Sequence, residues 1–160
     1  MKTKIITQSA VITAIYIVLC WIFAPISFGA IQVRISEALT VLPIYTHTAI
    51  PGLFIGCALS NIILGGGNII DLIFGSLATL LAAICTYKLR KKPRLISLFP
   101  PVIINAVIVG AYLHFIISPE INIFINMLWV MLGQIVSCYC IGLPLCIAID
   151  KYGKNFIDNK

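Results

Sequence analysis

The chain has 160 residues, of which 61% are hydrophobic and 10% charged, and its mean hydropathy is +1.09; an ordinary water-soluble globule is excluded and lipid is the expected solvent of the fold. Eleven Lys and Arg against five Asp and Glu give a net charge of +6, but most of these bases lie in short segments between long apolar runs. They report membrane orientation, and no nucleic-acid partner is read from them.

In chain order, Met-Lys-Thr-Lys opens onto an apolar run over 5–24. The opening has the form of a signal peptide, yet the run is as long as a bilayer span and no small-x-small cleavage site closes it, so a retained first span is expected. Within it Ala10 and Ala14 lie one turn apart, a small-residue face that lets another helix backbone approach closely in lipid or packs inside the same chain. The next apolar run, 38–64, is interrupted by Pro43 and by Pro51-Gly52, which suits either one kinked span or two short helices meeting near 46–51. Basic residues decide between these. Lys2 and Lys4 precede the first run, Lys88, Arg90, Lys91, Lys92 and Arg94 follow the third, and Lys151, Lys154 and Lys160 follow the last. The positive-inside rule places all three clusters in the cytoplasm, so an even number of crossings separates them and the long run must split. The expected fold is all-α, one domain of six transmembrane helices in the cell membrane at about 5–24, 37–48, 51–65, 69–87, 95–117 and 121–149, with both termini cytoplasmic. The split halves, at roughly 20 Å each, fall short of a full span. Short helices broken by Pro and Gly point to a ligand cavity.

The six cysteines, at positions 20, 57, 85, 138, 140 and 146, fall in apolar runs without Cys-x-x-Cys or Cys/His spacing. They read as buried small side chains, with no metal, cofactor or disulfide function. Ionisable residues at membrane depth need a partner or a purpose. Arg34 and Glu37 sit three residues apart before the second expected helix and Asp71 opens the fourth; each also admits a structural reading, as an ion pair or a dipole-favoured N-terminal acid. Asn105, Tyr112 and His114 on the fifth helix, and Asn122, Asn126 and Trp129 at i, i+4, i+7 on the sixth, collect toward the same outer side. A pocket opening outward is the simplest site that gathers them.

The stretch Ile31-Gln32-Val33-Arg34-Ile35-Ser36-Glu37-Ala38-Leu39-Thr40-Val41-Leu42-Pro43 resembles the queuosine-precursor transporter family, the substrate-specific S-components of energy-coupling factor (ECF) importers. Pro51-Gly52-Leu53-Phe54-Ile55-Gly56-Cys57 and the block from Asp71 to Leu80 are similar to the family's next two motifs. The resemblance implies six helices, a membrane-embedded coupling subunit and two cytoplasmic ATPases as partners, and docking on the coupling subunit through Ala10 and Ala14. No Walker motif occurs in the chain, so energy would come from another polypeptide. The implied ligand is a deazaguanine base carrying an aminomethyl group. Its edge suits a carboxylate facing two donors and an amide or Arg facing the carbonyl. Glu37 and Asp71 are the available carboxylates, one for the edge and one for the aminomethyl cation, with Gln32, Asn126 or Arg34 at the carbonyl and Trp129 or Tyr112 stacking on the ring. Two other readings stand beside this one: an S-component or stand-alone carrier for another solute such as a vitamin, and, more remotely, a membrane enzyme using Glu37, Asp71 and His114. No nucleophile-base or metal-ligand spacing supports catalysis.

Overall fold

The computed structural model describes residues 2–27, 33–65, 68–116 and 118–153. Every regular element in it is helical: α1 (Lys2–Ile22), a 3-10 helix (Ile35–Ile44), α2 (Ala49–Leu64), α3 (Asp71–Lys88), α4 (Arg94–Ile116) and α5 (Ile123–Tyr152). A single helical turn, Ala24–Ser27, follows α1.

The apolar pattern is inverted relative to a soluble protein. Ile6, Val11, Ile15, Val18, Trp21, Ile62, Ile63, Phe115 and Phe124 point outward, whereas Arg34, Glu37, Asn61, Asp71, Thr79, Asn105, Asn126 and Gln134 are buried. A bundle solvated by lipid distributes its residues in this way, because the cost of exposing an unpaired polar group is paid in hydrocarbon and not in water.

Six spans are expected from the sequence, and the structure corrects that number to four. Among the described residues α1, α3, α4 and α5 are long and apolar enough to cross a membrane. The 3-10 helix has 10 residues and covers about 20 Å at a rise near 2.0 Å per residue. The 16 residues of α2 cover about 24 Å at helical rise, and a hydrocarbon core is about 30 Å thick. The split of the second apolar run is present, but neither half has the length of a span. Pro43 lies inside the 3-10 helix, and the chain from Ser36 to Pro43 is buried without interruption. Such backbone is tolerated at membrane depth where protein, not lipid, surrounds it. Here α1, α2, α3 and α5 surround it.

Glycines set how closely α1 and α2 pack. A Cβ on Gly52 would lie 2.9 Å from Ser9 O, and one on Gly56 would lie 2.8 Å from Tyr16 Cβ. The Gly-x-x-x-Gly face of α2 therefore receives α1 at backbone distance. Ser9 Oγ donates to Thr48 O at 2.8 Å and Thr13 Oγ1 to Gly52 O at 2.9 Å, which fixes the register of the pair. Gly110 of α4 meets Met127 of α5 in the same way.

The two ends of the bundle differ. At one end α5 finishes beside the start of α4, where Arg94 pairs with Asp150 and the Tyr45 hydroxyl donates to Asp150 Oδ1 or to Cys146 O, each at 3.1 Å. Toward the other end lie the start of the 3-10 helix, the start of α3 and the end of α4. The buried charges gather there.

Candidate functional site: a buried charged network

Two helices enter this region through π-helical turns, Asp71–Gly75 at the start of α3 and Val136–Ile141 within α5. A π turn closes its hydrogen bond one residue later than an α turn and is frequent at functional sites. On α3, Asp71, Gly75 and Thr79 follow one another along one face. On α2, Cys57 and Asn61 do the same at i, i+4.

Arg34 joins these elements. Its Nη2 lies 3.3 Å from both Asp71 Oδ1 and Oδ2, and its Nη1 lies 3.6 Å from Cys57 Sγ. The Tyr112 hydroxyl, from α4, also donates to Asp71 Oδ1, and the Tyr112 ring packs 6.3 Å from that of Phe74. Asn61 Nδ2 donates to the Asp71 backbone oxygen at 2.9 Å. Gly75 makes room for this convergence, since a Cβ there would lie 3.0 Å from Asn61 Nδ2 and 3.1 Å from Asp71 Oδ1.

Glu37 occupies the second half of the network, two turns along α3 at Thr79. The Tyr16 hydroxyl donates to Glu37 Oε1 at 2.5 Å. Thr79 Oγ1 lies 3.1 Å from Glu37 Oε1 and equally from Gly75 O, and it gives its single proton to one of them. Cys57 Sγ links the two halves, 3.4 Å from Thr79 Oγ1 and 3.7 Å from Asn61 Nδ2. Cys57 is thus a polar junction as well as a small buried side chain, while Cys85 and Cys140 are not fully buried. All six cysteines are unpaired.

Arg34, Glu37 and Asp71 are 4%, 1% and 6% exposed. The charged groups of the network are enclosed within the bundle. Two acceptors in it, Glu37 Oε2 and Asn61 Oδ1, are buried with no hydrogen-bond partner among the described residues. Unsatisfied buried acceptors are rare in native proteins and call for an explanation.

Of the residues singled out in the sequence, the structure brings Arg34, Glu37, Asp71 and Tyr112 together. Asn126 has its hydrogen bond outside the network. Asn126 Nδ2 donates to Ser118 Oγ at 3.2 Å and ties the start of α5 to the turn before it. Trp129 is half-buried. His114 Nδ1 meets Ile121 O at 2.7 Å across the same turn, and Asn105 Nδ2 donates to Pro101 O within α4. Gln32 lies outside the described residues. Sequence reasoning misses Tyr16, Cys57, Asn61 and Thr79. The i, i+4 spacings of Cys57 with Asn61, and of Asp71 with Gly75 and Thr79, are the signal that would have found three of them.

Ala10 and Ala14 are both exposed. They line an open groove of about 520 Å³ together with Ile6, Thr13, Pro51 and Ile55. They are not spent on contact with α2, which uses Gly52 and Gly56 instead. Among the described residues no group of three or more His, Cys, Asp or Glu is placed to hold a metal ion.

Long lipid-facing helices around an enclosed charged network are the build of a multi-pass membrane protein with a polar interior site. The sequence model of the QueT transporter family matches residues 6–151, and the chain belongs to that family of transporters. No curated protein and no solved structure matches it.

Proposed function

We propose that this QueT-family chain is the substrate-binding S-component of an ECF-type importer, taking up an aminomethyl-deazaguanine precursor of queuosine from outside the cell. The observation that carries the reading is the network of Arg34, Glu37, Asp71, Asn61 and Tyr112 enclosed among lipid-facing helices. Charged groups at that depth cost on the order of 2 to 4 kcal/mol each on insertion scales and are ordinarily retained for a solute or ion. The network holds both carboxylates and amide or guanidinium groups, the pairing that a guanine-like edge requires. Gln32, Asn126 and Trp129 stay in the proposal as further ligand contacts on their side-chain chemistry alone.

The partners proposed are a membrane coupling subunit and two cytoplasmic ATPases, with Ala10 and Ala14 as the docking face. What supports this face is its small side chains in an exposed groove. Ala10→Leu with Ala14→Leu is expected to leave ligand binding by the isolated protein unchanged and to abolish uptake in vesicles that contain the coupling subunit and ATPases. Equal uptake by the double variant and the unaltered protein would remove these residues from docking, and uptake without any partner would make the chain a stand-alone carrier.

Gly75→Ala tests the site itself. Alanine raises helix propensity by about 1 kcal/mol, a gain that offsets part of the crowding cost, so the variant is expected to stay folded. Its Cβ, however, wedges between Asn61 and Asp71, and binding of the deazaguanine is expected to weaken by about tenfold or more, as for the loss of one charge-assisted hydrogen bond. Unweakened binding would place the ligand away from Asn61 and Asp71.

A further inference from the structure

The two carboxylates of the network are not equivalent. Asp71 has the Arg34 guanidinium against both oxygens and the Tyr112 hydroxyl on one of them. Glu37 meets hydroxyls alone, with Tyr16 donating to Oε1 and Thr79 giving its one proton to Oε1 or to Gly75 O, and its Oε2 is buried without a partner among the described residues. Arg34, Glu37 and Asp71 are the charged residues buried in the described chain. One guanidinium therefore stands beside two carboxyl groups and lies against Asp71, while Glu37 meets hydroxyls; its bare oxygen is where a donor carrying positive charge can be received. Asn61 carries the second unmet acceptor: its Nδ2 is held by Asp71 O, which leaves Oδ1 without a donor.

Resting on the proposed function, we infer that the site selects a monocationic substrate, whose primary ammonium is received by Glu37 Oε2 at the Tyr16–Thr79 level, while a ring or exocyclic N–H is received by Asn61 Oδ1 at the Asp71 level. Asp71 is then neutralised by Arg34, the two together facing the guanine-like edge of the ring, and Glu37 is the residue that reads charge. Position along α3 gives the ligand a direction. Thr79 lies eight residues beyond Asp71, about 12 Å along a helix, so the cationic arm is the deep end and the ring the shallow end. Cys57, which touches Thr79, Arg34 and Asn61, lies between them. The ammonium supplies both a positive charge and a donor, whereas a neutral arm of the same shape supplies neither.

The test compares two deazaguanines that differ at the arm, the aminomethyl base and its neutral cyano counterpart, by calorimetric titration of the purified protein and of Glu37→Gln. In that variant Oε1 still accepts from Tyr16 and Thr79, and an amide N–H takes the place of Oε2, so the fold is preserved while the charge and the acceptor are lost. The expected result is a preference for the cation of about tenfold or more in the unaltered protein, the equivalent of one charge-assisted hydrogen bond, and loss of that preference in Glu37→Gln through weaker binding of the cation. Equal or tighter binding of the neutral base by the unaltered protein overturns charge selection, whether or not the variant folds, and leaves the deazaguanine reading intact. A parallel loss of both ligands in a folded Glu37→Gln also overturns it, since Glu37 would then shape the site without reading charge. Binding of neither base by folded, unaltered protein refutes the proposed function itself, and the inference with it.

Discussion

Arg34→Ala is expected to lower the stability of the detergent-solubilised protein by about 3–5 kcal/mol, the cost of leaving a buried charge without its partner. The size follows from the position of Arg34. It ties the chain before the 3-10 helix to α3 through Asp71 and to α2 through Cys57, and its removal leaves Asp71 enclosed with, among the described residues, the Tyr112 hydroxyl as its side-chain donor. The double variant Arg34→Met with Asp71→Asn separates charge from packing. It removes both charges, keeps an acceptor for Tyr112 and replaces most of the guanidinium stem. Most of the lost stability is expected to return, as when buried ion pairs elsewhere are replaced by neutral groups of similar volume, but ligand binding is not expected to return with it. Thermal unfolding of the single and double variants measures this. An equal loss in both would mean that the hydrogen bonds of Arg34, and neither its volume nor its neutralisation of Asp71, carry its effect.

Gly56→Leu is the second large effect. No side chain fits between α2 and Tyr16, because the Cβ alone would stand 2.8 Å from Tyr16 Cβ. The helices must separate, and overpacking of this kind costs about 1–3 kcal/mol or more. Here separation also draws the Tyr16 hydroxyl away from Glu37 Oε1. The variant is expected to melt well below the unaltered protein and to lose binding even where it remains folded. Gly52→Leu, against Ser9 O and Ile12, is expected to destabilise similarly but to disturb Glu37 less. A Gly56→Leu protein with unchanged melting would show that α1 shifts freely on α2.

The all-α class and the long helices are legible in the sequence because uninterrupted apolar runs in lipid have one way to satisfy their backbone. The number of spans is not. Charge parity asks only for an even number of crossings before the basic segment, and α1 and α3 alone supply it; the structure does divide the run over 38–64 near Thr46, but neither half counts as a crossing. The Pro43 segment settles as a buried 3-10 helix whose polar backbone is shielded by neighbouring helices, a tertiary outcome that no local pattern encodes. The charged residues were visible by their rarity, and they meet. Asn126 and Trp129 share a sequence face with Asn122, yet Asn126 is taken by Ser118 and the turn between α4 and α5, a contact that periodicity cannot anticipate. Single neutral polar residues in apolar helices are common, so Tyr16 carries no sequence signal, and the i, i+4 spacings of Asn61 and Thr79 gain weight from their convergence on Asp71 and Glu37.

The most direct test of a deazaguanine site in the Arg34–Glu37–Asp71 network is calorimetric titration of the purified protein with the aminomethyl-deazaguanine base, with guanine and riboflavin as controls and the Arg34→Met, Asp71→Asn double variant alongside. Saturable binding of the deazaguanine in preference to both controls, absent from the folded double variant, is the predicted result. Binding of riboflavin instead, or undiminished binding of the deazaguanine by the double variant, would contradict it.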